Sequence, residues 1–70
     1  MTNEQKLEII RFCIEDIKSY CESDTLSLKE KQRITKALET YKNMYRDAER
    51  GKLDPDLLHE NIASFLYYLQ

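Results

Sequence analysis

The side chains of this 70-residue chain that could act as nucleophiles or as a catalytic base are few: two cysteines, Cys13 and Cys21, and a single histidine, His59. A nucleophile needs a base within hydrogen-bond reach, usually oriented by a third group. His59 has Glu60 beside it near the start of a helical stretch, whereas both cysteines lie on the apolar flank of a different one. A small thiol in such a place is ordinarily inert filler. The chain therefore reads as non-catalytic, with His59 an exposed helix residue. Cys13 and Cys21 are eight residues apart on one expected helix, which separates their Cα atoms by roughly 12 Å. That is too far for a disulfide, which needs less than about 7 Å, and too far for the two thiolates to share a zinc ion.

Asp54, Asp56 and Glu60 could be imagined around a hard cation, but no Asp/Asn-rich loop with a central glycine accompanies them, as a calcium loop requires. Helix capping and dipole chemistry account for all three acids. No metal and no cofactor is expected.

Positive charge offers another chemistry. Residues 26–53 hold eight basic side chains against four acidic ones, whereas residues 1–25 and 54–70 each carry a net charge of −3. Phosphate recognition needs basic residues clustered on one face. Here Lys29, Arg33 and Lys36 share one flank of the middle helix, Lys31 and Lys42 lie on the other, and Arg46 and Arg50 stand among Glu39, Asp47 and Glu49. The overall pI is about 5.3, so a solvated helix face is the first reading. The alternative is a nucleotide-, other anion- or nucleic-acid-binding module, in which Lys29, Arg33 and Lys36 clamp phosphate while Tyr41 and Tyr45 stack, with two chains forming the pocket.

All these residues must be positioned by helices. The chain has one glycine, one proline and no strand-like alternation, which argues for an all-α fold. The spacing predicts a three-helix bundle, with helices over about 3–22, 28–50 and 55–69, in one domain spanning 1–70. Ser27-Leu28-Lys29-Glu30 fits a capping box at the start of the second helix, and Gly51 supplies the left-handed residue that ends it. Thr2 or Asn3 can cap the first helix; Asp54 followed by Pro55 opens the third. The second helix reads as the rod around which the rest is arranged. Ile34, Ala37, Leu38, Tyr41, Met44, Tyr45 and Ala48 fall within an arc of about 120° on its wheel. The short ESDTL loop, Glu22 to Leu26, makes the first two helices an antiparallel hairpin, and the third folds back onto the pair.

Three short helices leave apolar surface over. Leu7, Ile10, Ile14, Ile17 and Cys21 repeat at packing-seam spacing in the first helix, but Ile9 and Phe12 lie further round. In the third helix Leu58, Ile62, Phe65, Leu66 and Leu69 form the core stripe, while Leu57, Asn61, Ser64 and Tyr68 form a second, mixed face. Tyrosine is favoured at interfaces because it buries area yet keeps a polar tip. The expected function is a small protein-interaction module that self-associates, as a dimer first, and binds or inhibits another protein. Its candidate interface is Ile9, Phe12, Leu57, Asn61 and Tyr68. No apolar run approaches the ~20 residues of a membrane span, and MTNEQKLEII lacks the basic and apolar regions of a signal peptide. With free thiols, that leads to the expectation of a cytoplasmic protein without a membrane partner.

Overall fold

A computed structural model describes residues 2–69, and within them the chain forms three α-helices and no strand: α1 (Asn3–Cys21), α2 (Leu28–Glu49) and α3 (Pro55–Leu69). Each boundary has a local cause. Thr2 caps α1 with a reciprocal box: its hydroxyl accepts the Gln5 N–H at 3.2 Å, and the Gln5 side chain accepts the Thr2 N–H at 3.0 Å. At α2 only half of the expected box forms among the described residues. Ser27 Oγ accepts the Glu30 N–H at 3.2 Å, while the Glu30 carboxylate does not return to the Ser27 amide and lies at the edge of a hollow with Arg33. Asp54 Oδ1 accepts the Asp56 N–H at 2.9 Å at the head of α3, with Pro55 in the first turn.

The ends of α1 and α2 fall one residue short of the pattern, because Glu22 and Arg50 are the C-caps. After α2 the chain makes a full Schellman turn: the Lys52 N–H donates to Asp47 O at 2.8 Å and the Gly51 N–H to Ala48 O at 3.1 Å. That turn requires a left-handed residue, and Gly51 has φ +76°.

The helices run up, down and up. Cys21 Sγ meets Lys31 O and Thr35 Oγ1, so the end of α1 lies beside the start of α2. Lys6 meets Asp56, and Tyr20 meets Leu69, so α3 runs parallel to α1. The body is 37 × 19 × 15 Å. The second helix is the longest, but α1 is the central one: it packs extensively against both neighbours, and α2 and α3 touch each other less. The reason lies in the side chains. Ile10 and Ile17 are fully buried and Ile14 nearly so, and they meet Ile34, Leu38 and Ala48 from α2 and Leu58 and Ile62 from α3. At about 25 cal/mol per Å² of apolar surface removed from water, these side chains stabilise the fold more than any other group of contacts.

The alternation of charge between helices has little to do with this packing. The only ion pair among the described residues joins α1 to α3, Lys6 Nζ to Asp56 Oδ1 at 3.1 Å, and both partners are partly exposed. Such a pair contributes at most about 1 kcal/mol. The basic side chains of α2 turn outward instead of pairing with the acidic helices. No described helix is long and apolar enough to cross a membrane.

Candidate functional site

The largest uncovered apolar side chain of α1 is Phe12, which is 57% exposed. Next to it Ile9 lies at the margin of exposure, and Ile9 is shared by two hollows. One, about 310 Å³, is walled by Lys6, Asp56 and His59, so it spans from α1 to the first turns of α3. The other, about 530 Å³, is walled by Gln5, Glu8 and Phe12. Ile9 is left out of the core because positions 10, 14 and 17 already fill the space between α2 and α3. A wheel position about 100° away cannot reach it.

Leu57, Asn61 and Tyr68 lie together on another edge. Their spacing keeps them on one strip of α3, and all three are exposed. Asn61 Nδ2 donates to Leu57 O at 3.0 Å within the helix. At the far end the Tyr68 hydroxyl accepts from Arg33 Nη1 at 3.5 Å, which places this strip on the side of α3 that faces α2. The five candidate interface residues are therefore two surfaces, one beside α1 and one beside α2.

The candidate anion ligands are also divided. Arg33 lines a hollow of about 420 Å³ with Tyr20, Glu30, Ile34, Tyr68 and Leu69, where a carboxylate already stands in the wall. Lys36 faces a shallow depression with Leu28, Lys31 and Thr35, and Lys29 is exposed in the first turn of α2. Tyr41 is tied into the seam, its ring edge-on to Phe65 with centroids 5.7 Å apart. Burial pushes its phenol above the ordinary value. Tyr45 packs at the opposite end, among Leu7, Arg11 and the carboxylates of Glu4, Glu8 and Glu49. Along α2, Tyr45 lies about 18 Å from Arg33. The tyrosines and the cations do not converge on one pocket.

His59 sits at the mouth of the Ile9 hollow. Cys13 and Cys21 are both half-buried and unlinked. Burial first, and the Asp16 carboxylate second, push the Cys13 thiol up. Among the described residues no three His, Cys, Asp or Glu side chains converge as a metal site would need.

Three large exposed apolar residues lie outside the sequence-derived interface set: Tyr67 at 83%, Leu28 at 73% and Tyr20 at 38% exposure. The signal for Tyr67 is present in the spacing, since it falls about 140° from Ile62 on the wheel of α3. Leu28 directly follows the Ser27 cap, where the chain has only begun to turn toward the core. Tyr20 carries another contact that spacing does not reveal, a hydrogen bond to the Leu69 carbonyl at 3.2 Å.

Comparison with protein-family models, with curated proteins and with solved structures yields no match.

Proposed function

We propose that this chain is a non-catalytic protein-interaction module of the cytoplasm that self-associates and binds or inhibits another protein. The observation behind this reading is the pair of apolar strips left outside a finished core: Ile9 with Phe12 beside α1, and Leu57 with Tyr68 on the α2-facing edge of α3. Exposed apolar area grouped in this way is a common mark of an interaction surface. The two strips differ in charge. Leu57, Asn61, Ser64 and Tyr68 are uncharged, so a twofold axis can set that strip against its own image without like-charge repulsion. Self-association is assigned there, and the Ile9–Phe12 face is left for a different partner.

Sedimentation equilibrium together with thermal melts over a range of protein concentrations tests this. A dimer is expected, with a melting temperature that rises with concentration. Leu57→Glu lies in the exposed first turns of α3, where a carboxylate suits the helix, and should yield a folded monomer. A chain that stays monomeric at high concentration removes self-association.

A further inference from the structure

We infer that the face built from Ile9 and Phe12 is a docking groove for a basic amphipathic helix of another protein. This inference rests on the interaction-module reading and adds the chemistry of the partner.

The first reason is shape. Ile9 stands between two hollows, one reaching across to α3 and one running along α1 to Phe12. A helix laid over such a groove presents apolar side chains at i, i+3 or i+4 and i+7, about 5–6 Å apart. One such side chain enters on each side of Ile9, and Phe12 packs against the next turn.

The second reason is charge. Glu8 is in the wall of one hollow and Asp56 in the wall of the other. Asp16 follows Phe12 by one turn of α1, and Glu60 follows Asp56 by one turn of α3; both are exposed. Two cations border the groove: Lys6, whose ammonium is 3.1 Å from each carboxylate oxygen of Asp56, and Arg11, whose guanidinium carbon lies 5.9 Å from the centroid of the Phe12 ring. With Asp56 paired to Lys6, the carboxylates of Glu8, Asp16 and Glu60 still outnumber Arg11. A rim of net negative charge around apolar hollows favours an apolar stripe flanked by Lys and Arg and opposes an acidic one. A second copy seated on the same face across a twofold axis would bring the unpaired carboxylates of Glu8 and Asp16 toward their own images, so the chain is a poor occupant of its own groove.

Two synthetic helical peptides test the inference, with one shared stripe of leucines. In the first the flanking positions are Lys and Arg, in the second Glu. Each is titrated into the full chain by calorimetry at about 0.15 M salt, and amide shifts in the NMR spectrum locate the contact. The expected result is saturable one-to-one binding of the basic peptide, at least about tenfold tighter than that of the acidic one, with shifts confined to α1 and the first turns of α3. Phe12→Ser should weaken it by about tenfold or more. Glu8→Lys with Asp16→Lys should reverse the preference between peptides. Because all three positions are exposed, unchanged circular dichroism and melting show that the variants still fold.

Equal binding of both peptides, or binding of the basic one that ignores the Phe12 and charge-reversal variants, overturns the basic-helix inference while leaving an interaction module in place. Loss of the dimer on Phe12→Ser overturns it in favour of a second copy as occupant. Failure of either peptide to bind, in a chain that is also monomeric, overturns both readings.

Discussion

The Tyr20 hydroxyl donates to the Leu69 carbonyl at 3.2 Å, tying the last turn of α1 to the last turn of α3. A carbonyl in a final helical turn has no partner within its own helix, and here a side chain from a parallel neighbour supplies one. Tyr20→Phe keeps the ring and removes the donor. The site is partly exposed, so water replaces part of the bond, and the expected cost is about 0.5–1 kcal/mol. Hydrogen exchange checks the assignment: amides in the last turn of α3 should lose protection while those near Pro55 keep theirs.

The core prediction concerns Ile14 and Leu38, which are 7% and 6% exposed and come from the two helices of the hairpin. Replacing either with Ala should cost about 2–5 kcal/mol, comparable with the whole stability expected of a domain this small. Urea titration of each variant provides the number. Melting within a degree or two of the parent would mean that the packing of α1 against α2 is misassigned.

At the head of α2, Ser27→Ala should cost about 1 kcal/mol, because Ser27 Oγ holds the Glu30 amide. Glu30→Gln should have almost no effect on the cap, since the carboxylate makes no return bond among the described residues. Thr25, whose hydroxyl pairs with that of Ser23 at 2.9 Å in the loop, should tolerate Ala better than Ser27 does. Thermal melts of the three variants rank these contacts directly.

Gly51→Ala isolates a pure backbone effect. A Cβ built at Gly51 meets nothing within 4 Å, and φ is +76°. The cost is therefore the left-handed conformation alone, about 1–2 kcal/mol, and Gly51→Asn should recover part of it. If Ala were neutral, the Schellman turn after α2 would not be the one described.

Cys13 should alkylate more slowly in the folded chain than after unfolding in urea, because its thiol is pushed up by burial and then by Asp16. Asp16→Asn should narrow that difference without removing it, since burial is the larger cause. The folded state holds this proton more tightly than the unfolded one. Its contribution to stability is therefore full below the unfolded thiol's pKa and is lost as pH rises through the folded one. Iodoacetamide labelling followed by mass spectrometry of the Cys13 peptide measures the rates.

The helices and most of their ends were legible because local chemistry sets them. Ser27, Gly51, Asp54 and Pro55 act on the backbone within a turn of their own position, and they do so here. The Thr2 box went unread, the cap being left open between Thr2 and Asn3, although Thr2 and Gln5 have its spacing. The central place of α1 was harder to read. Length and charge draw attention to α2, but burial follows the three isoleucines of α1, whose broad apolar arc serves two neighbours. The division of the candidate interface was not legible at all. Leu57 and Tyr68 share a strip by spacing, but whether that strip borders α1 or α2 depends on which side of the hairpin α3 folds. That choice belongs to the tertiary packing of α3, whose Leu58 and Ile62 are buried in the core, and no local pattern encodes it. Within one chain the anion set does not converge, for a related reason: Tyr41 and Tyr45 belong to the apolar stripe of α2, and Lys29, Arg33 and Lys36 lie outside it.

An odd number of helices has a consequence for how the fold can be joined to other chains. Thr2 and Leu69 emerge at opposite ends of a body 37 Å long, so the fold can be spliced in line between two other proteins as a short rigid spacer. Rejoining those ends to make a circular permutant would need a tether of about ten or more extended residues to run the length of the body. A pair of fluorophores placed at the two ends would be held at a fixed separation while the helices are packed, and a change in their energy transfer would report when α3 peels away from α1.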